Sequence, residues 1–284
     1  MTALRIAYQG EPGAFSEEAV TTLQARDELI PVPYRTFSQV VDALEAGQVV
    51  AALLPVENSI AGSVTPSLDL LAERELTVRR EVVRPIVHCL LAPEGTVLED
   101  LHKVISHPVA LAQCTRFLQE NEGLEAIAVH DTAGAAREVA QEGAGGGVAA
   151  IASPWAAERY GLTCLLEGIQ DRQDNRTRFW LVTRRGEADP LGSTPKSNAN
   201  RLALMLETRD LPGALLATLE PFARENLSLR RIESRPSEKP WSYRFFMEVA
   251  GAPDDPGMLR ALEALVGVTS TLKVLGTFQG SPEG

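Results

Sequence analysis

Over its first two-thirds this chain alternates short apolar runs with amphipathic helical patterns, and that alternation constrains its fold more than any other feature. Residues 4–8, 49–54, 104–105, 124–129, 148–152 and 177–183 read as strands. Helical patterns follow several of them. One opens at Ser16 with Glu17 and Glu18 in its first turn, and one runs unbroken from residue 109 to 121. Another is capped by Asp131-Thr132, and a fourth by Ser153 with Pro154 at the first helical position. Such alternation implies a mostly parallel sheet with helices on both faces, and ligands bind beyond the carboxyl ends of its strands. The strand-to-helix loops carry Ser16, Asn58, Ser59, Ser63, Ser106, Thr132 and Ser153. A polar run over 74–81 followed by an apolar run over 82–91 leads the chain into a second lobe, so two lobes with a cleft between them are expected.

Residues 186–200, GEADPLGSTPKSNAN, have little to bury and read as a linker. Beyond it the pattern is strand, helix, strand, strand, helix, strand, the ferredoxin-like plait. The plait's first helix sets Leu215, Leu216, Leu219 and Phe222 on one face, with Pro221 late in it. The expected fold is therefore α/β throughout: a two-lobed domain over 1–185, the linker, and a βαββαβ domain over 201–280.

Charge and side-chain inventory exclude several functions. Lys and Arg number 27 against 38 Asp and Glu, a formal charge of −11. A surface so acidic disfavours nucleic acid and anionic membranes. The three cysteines (Cys89, Cys114, Cys164) are too far apart for a disulfide framework or a zinc ribbon, and the four histidines have no metal-ligand spacing. No metal and no cofactor are expected. No run is long enough to span a membrane and the N-terminus enters a strand without a signal-peptide core, so a reducing cytosol is the expected compartment.

Four loops carry candidate chemistry. GEPGAFS (10–16) is either a tight connection or part of a binding cleft. PVENSIAGSV (55–64) sets Glu57, Asn58 and Ser59 at a strand end, where an Asx turn is the alternative. SHPVALAQC (106–114) caps a helix with Ser106 and His107, and a histidine such as His107 on its own is more often structural than catalytic. DRQDNRTRFW (171–180) gathers Arg172, Arg176 and Arg178. Arginine grips carboxylates with two parallel hydrogen bonds, but charge on a strand edge also guards it against pairing. On a strand, Thr177 and Phe179 share one face and Arg176 and Arg178 the other.

In this order and spacing, GEPGAFS, PVENSIAGSV, SHPVALAQC, the AAIAS…AA…YGL run (149–162) and NRTRF resemble the prephenate dehydratase family over nearly the whole chain. The tail PGALLATLEPF…NLSLRRIESRP resembles its phenylalanine-sensing ACT domain. Ala14, Val109 and Asp131 depart from residues common in that family at loop positions. The resemblance implies a two-lobed, periplasmic-binding-protein-like catalytic domain. It also implies decarboxylating dehydration of prephenate to phenylpyruvate in phenylalanine biosynthesis, without a cofactor. On that reading Thr177 is a positioned hydrogen-bond donor to the leaving hydroxyl and Arg178 clamps a carboxylate. Asn58, Ser59 and Thr132 complete a polar cage, with Ser16, Ser106, His107, Asn175 and Phe179 as further substrate contacts. Glu57 is either protonated or an orienting group behind the substrate. Leu211, Pro212, Gly213, Ala214 and Leu215, with Glu233, Ser234, Arg235 and Pro236, form the implied phenylalanine site. The implied assembly is a dimer or tetramer. The alternatives are arogenate dehydratase and, from another class, a non-catalytic amino-acid-responsive binding protein.

Overall fold

A computed structural model describes residues 3–23, 25, 27–143, 145–192, 199–237, 239 and 242–281. The chain forms two compact units that do not follow its linear order. Met1–Val64 and Val82–Phe179 make the first, and Thr65–Glu81 and Trp180–Gly284 the second.

The first unit contains two sheets. In one, β1 (Leu4–Gln9), β2 (Leu29–Tyr34) and β3 (Ala51–Asn58) alternate with helices α1 (Phe15–Thr21) and α2 (Phe37–Glu45). β1 lies between β2 and β3 and is parallel to both. Ile6, Ala7, Tyr8 and residues 51–54 are fully buried, as a strand covered on both faces requires. The two-residue strand β4 (Gly62–Ser63) folds back on β3. α1 begins two residues earlier than a Ser16 cap would place it. Ala14 is the N-cap and makes no side-chain bond, while the Glu17 carboxylate takes the Gly13 amide at 2.6 Å. Ser16 therefore lies buried within the first turn and does not cap it.

After α3 (Thr65–Glu73) and β5 (Leu76–Pro85), the second sheet takes β6 (Cys89–Ala92), β7 (Lys103–Ser106), β8 (Glu125–Ala128), β9 (Val148–Ala152) and β10 (Thr163–Glu167), ordered β10-β6-β9-β7-β8. Here the parallel expectation fails in part: β7 is parallel to β8 and β9, but β6 runs antiparallel to β9 and β10. Helices α4 (Pro108–Ala112), α5 (Thr115–Glu120), α6 (Thr132–Glu142) and α7 (Pro154–Tyr160) cover it. Alternation along β9 serves both faces. Val148, Ala150 and Ala152 pack with residues of α6 and α7, while Ala149 and Ile151 pack with Ala110, Cys114 and Phe117. The single helix expected over 109–121 is two helices. The Asp171 carboxylate accepts from the amides of Thr115 and Arg116 (3.1 and 2.9 Å) and caps a new helix start.

The strand β11 (Arg176–Arg184) neighbours β3, and its later residues belong to the second unit. That unit is built on β12 (Arg201–Thr208), α8 (Ala214–Arg224), β13 (Leu229–Pro236), β14 (Tyr243–Ala250), α9 (Pro256–Val268) and β15 (Thr269–Phe278). The strands stand in the order β13-β14-β12-β15, all antiparallel, which is the expected plait. Leu202, Leu204, Leu206, Met247 and Val249 pack on Phe222 of α8 and Met258, Ala261 and Leu265 of α9. The buried face of α8 runs through Thr218 and Phe222. Leu215 and Leu216 are exposed in its first turn, against the expectation of one apolar face.

Residues 65–81 belong with the plait. The polar run 74–81 is largely strand β5, which joins β15 in parallel where Gly276 meets Val78. A Cβ at Gly276 would stand 2.2 Å from the Val78 carbonyl oxygen, so no larger residue fits. Lys273 ends α3 by donating to the carbonyls of Leu71, Ala72 and Arg74 (3.2, 3.1 and 2.6 Å), a cation at the negative helix end. Part of the expected linker is also packed: Leu191 and Ala199 are buried, and Asp189 pairs with Arg80 at 2.6 Å. Its residues 193–198 lie outside the described residues.

Candidate active site

Asn58, the last residue of β3, organises a polar cluster in the first unit. Its side-chain oxygen accepts from the amides of Ile60 (3.0 Å) and Ala61 (2.8 Å), an Asx turn that fixes which end of the amide is which. Its nitrogen then donates to Asn175 Oδ1 (2.8 Å), Thr177 Oγ1 (2.9 Å) and the Arg176 carbonyl (3.1 Å), sharing two protons among three oxygens. Thr177 is buried and its hydroxyl accepts here. Its own proton has no acceptor among the described residues and remains available as a donor.

On the opposite face of β11, Arg178 Nη1 meets Glu57 Oε2 at 2.7 Å, with both side chains partly exposed. The pair ties the guanidinium to the end of β3. Ser59 is differently placed from the expected cage. Its hydroxyl accepts from the Arg176 amide (2.9 Å) and donates to the Asp174 carbonyl (3.0 Å), and its amide donates to the Arg176 carbonyl (2.8 Å). Ser59 clips the end of β3 to the start of β11. Arg172 is an exposed partner of Asp174.

Two residues of the cluster escape a reading of the sequence. Gln113, at the end of α4, accepts on Oε1 from Asn175 Nδ2 (2.9 Å) and sets Nε2 3.5 Å from Asn58 Oδ1. His88, buried to 2 % exposure just before β6, places Nε2 2.9 Å from Gln113 Oε1. Burial holds its imidazole below the ordinary histidine pKa. The signal for Gln113 was present in SHPVALAQC, but an unbroken helix makes it one surface residue among several.

The remaining expected contacts sit at helix starts or in the core. Ser106 is wholly buried and donates to the Ile151 carbonyl, and Phe179 is 1 % exposed, so both belong to the packing. His107 is the N-cap of α4, its Nδ1 accepting from the Val109 amide at 3.2 Å, and burial lowers its pKa also. Thr132 is the half-buried first residue of α6, whose cap is Asp131. Asn175, expected as a substrate contact, is 1 % exposed and bonds Asn58 and Gln113 within the cluster. The loop 10–16 is latched to α7: the Gly13 carbonyl accepts from Ser153 Oγ (2.9 Å), the Pro12 carbonyl from Tyr160 (2.6 Å), and Glu17 from Trp155 Nε1 (2.9 Å). A recess of about 470 Å3 lies beside Glu11, Arg35, His130 and Arg137, and none of its lining residues belongs to the Asn58–Thr177 cluster.

In the second unit, Leu211, Gly213, Ala214, Leu215, Asp210 and Tyr243 help line a recess of about 290 Å3 at the start of α8. Gly213 is the N-cap with φ +81°, a backbone state that favours glycine. Pro212 precedes it on the exposed turn. Glu233, Ser234, Arg235 and Pro236 end β13 and are not among the residues lining this recess. Instead Arg235 grips Asp69 of α3, with Nη2–Oδ2 2.8 Å and Nε–Oδ1 3.3 Å.

These features define a two-lobed α/β protein whose site is built around one hydroxyl donor and one paired guanidinium, joined to a ferredoxin-like plait. Comparison with known proteins agrees. Residues 6–187 match the prephenate dehydratase family model and residues 203–267 the ACT domain model. The chain is 37% identical to the chloroplastic arogenate dehydratase/prephenate dehydratase 2 of Arabidopsis thaliana over 97% of its length and 72% of that protein's. It is 36% identical to a bifunctional N-acyl-homoserine lactone acylase/prephenate dehydratase of Komagataeibacter europaeus, covering 98% and 96% of the two chains. The crystal structure of prephenate dehydratase from Arthrobacter aurescens in complex with L-Phe superposes with a TM-score of 0.88 at 30% identity, covering 99% and 91%. The chain belongs to the prephenate dehydratase family and carries an ACT domain.

Proposed function

We propose that the first unit converts prephenate to phenylpyruvate, water and CO2, and that the plait binds L-phenylalanine and inhibits the reaction. The observation that carries the catalytic reading is the Thr177 hydroxyl, which accepts from Asn58 and so retains its proton for the substrate. In the reaction the ring carboxylate leaves as CO2. The electron pair of that bond enters the ring, and the ring C–O bond breaks as aromaticity forms. A threonine is far too weak an acid to ionise, so Thr177 stabilises the departing oxygen as a hydrogen-bond donor and the water takes its further proton from solvent. Arg178, oriented by Glu57, holds a substrate carboxylate. The test is direct: pure protein mixed with prephenate yields phenylpyruvate by its absorbance, and no product overturns the reading. Arogenate is the second candidate substrate, because the Arabidopsis relative is named for both activities. Release of phenylalanine from arogenate with higher kcat/KM than phenylpyruvate from prephenate would favour it. A non-catalytic sensor would turn over neither.

For regulation, the α8 recess offers free helix-start amides to a carboxylate and Asp210 to an ammonium. The two-point Arg235–Asp69 bond connects the end of β13 to α3, which follows the Asn58–Ser63 stretch along the chain. On this reading α3, which continues along the chain from that stretch, is the route by which phenylalanine at the plait acts on the reaction. Linkage requires that substrate weaken phenylalanine binding by the same factor. In calorimetry, Gly213→Val weakens phenylalanine binding about tenfold or more, since a β-branched residue resists positive φ. Asp69→Asn keeps binding and loses most of the inhibition. Undiminished inhibition in Asp69→Asn would remove α3 from the route. A truncation near residue 194 is a poor test, because α3 and β5 would lose the sheet they pack in. The exposed Leu211 and Leu216 beside this recess favour a dimer or tetramer, in a cytosolic setting. Light scattering at a single-chain mass would refute the assembly.

A further inference from the structure

We propose that His88 is a positioning residue whose Nε2–H holds Gln113 and Asn175 in the hydrogen-bond sense that the Asn58 amide, and with it Thr177, requires. The proposal rests on the catalytic reading above, but its direction follows from backbone amides alone. Ile60 and Ala61 N–H groups make Asn58 Oδ1 an acceptor, so Asn58 Nδ2 is the donor toward Asn175 Oδ1 and Thr177 Oγ1. Asn175 must then donate from Nδ2, and Gln113 Oε1 must accept. A carbonyl oxygen cannot donate, so the imidazole nitrogen 2.9 Å from it carries the proton.

The rest of the imidazole agrees with this tautomer. Nδ1 is buried and has no hydrogen-bond partner among the described residues, so a second proton there would find no acceptor among them. The Phe15 ring stands edge-on to the imidazole, centroids 5.6 Å apart and planes at 84°, which gives the phenylalanine of GEPGAFS a role. The His88 amide is held by Gln170 Oε1 at 2.9 Å, and its carbonyl accepts from Gly168 and Ile169 at 3.0 Å each. A ring so fixed delivers one donor to Gln113 Oε1, and that bond keeps the Gln113 amide from turning its nitrogen toward Asn175. Were Gln113 to turn, two N–H groups would oppose each other. Asn175 would lose its acceptor, and its Oδ1 would no longer be held 2.8 Å from the Asn58 Nδ2 that also places Thr177 Oγ1.

Two measurements test this. In the 15N-labelled parent protein, a long-range 1H–15N spectrum should show Nε2 protonated and Nδ1 bare. A proton on Nδ1 overturns the proposal whatever the enzyme turns over, so this readout fails separately from the catalytic reading. In steady-state kinetics with prephenate, His88→Phe should lower kcat by about 10- to 10²-fold with KM changed less than about threefold, the scale of a small misplacement at the reacting centre. His88→Gln, whose Nε2 reaches the place of the imidazole Nε2–H, should recover most of the loss. A folded His88→Phe protein with parental kcat refutes the role. So does a His88→Gln protein no faster than His88→Phe. If His88→Phe does not fold, the nitrogen spectrum and the His88→Gln rate decide.

Discussion

Thr177→Ala lowers turnover of prephenate by about 10²-fold or more, the scale for removing one donor aimed at developing charge, and leaves KM close to that of the parent. The hydroxyl is buried at 8 % exposure and is placed by Asn58 at 2.9 Å. Alanine removes the donor without disturbing the strand, since the Thr177 backbone bonds belong to β11. Thr177→Ser keeps the hydroxyl and should stay within about tenfold of the parent, losing only the methyl group that fixes its rotamer. Parental kcat in Thr177→Ala, with an unchanged circular dichroism spectrum, would remove Thr177 from the chemistry. Arg178→Lys belongs to the same experiment. A lysine gives Glu57 its ion pair but cannot bridge it to a second carboxylate with a planar fork, so the loss should fall on KM as well as kcat.

Asn58→Asp should lower kcat by about 10²-fold or more at almost no change in volume, because it turns the donating amide into a charged acceptor. A carboxylate still accepts from Ile60 and Ala61, so the turn after β3 survives. It can no longer donate to Asn175 Oδ1 or to Thr177 Oγ1. The Thr177 proton then turns to the new carboxylate and is lost to the substrate, while Asn175 Oδ1 is left without its donor. Asn58→Ala, which leaves a gap instead of an acceptor, should be less harmful to kcat and more harmful to stability by thermal unfolding. If Asn58→Asp turned over like the parent, Thr177 would not depend on Asn58 for its direction.

Much of this site was legible along the chain because its signals are local. Strand alternation placed Thr177 and Arg178 on opposite faces, the Asx pattern after β3 marked Asn58, and Ser153-Pro154 and Asp131 announced their helices. The plait was legible for the same reason, each element carrying its own period. Local reading failed where a distant group intervened. Nothing within 109–121 breaks that helix; the Asp171 carboxylate does so, and only this break sets Gln113 at a helix end facing Asn175.

The sequence by itself determined most of the elements and the placing of Thr177 and Arg178 on opposite faces of one strand, since periodicity, caps and turns act over a few residues. The tertiary structure alone decided that Ser59 is a clip, that Glu57 pairs with Arg178, and that Gln113 and His88 join the cluster. It also decided that residues 65–81 belong with the plait. The physical reason is range. These bonds join groups separated by 25 residues, as for His88 and Gln113, to 121, as for Glu57 and Arg178. A buried amide or imidazole takes its role from whichever partner the fold brings within hydrogen-bond distance.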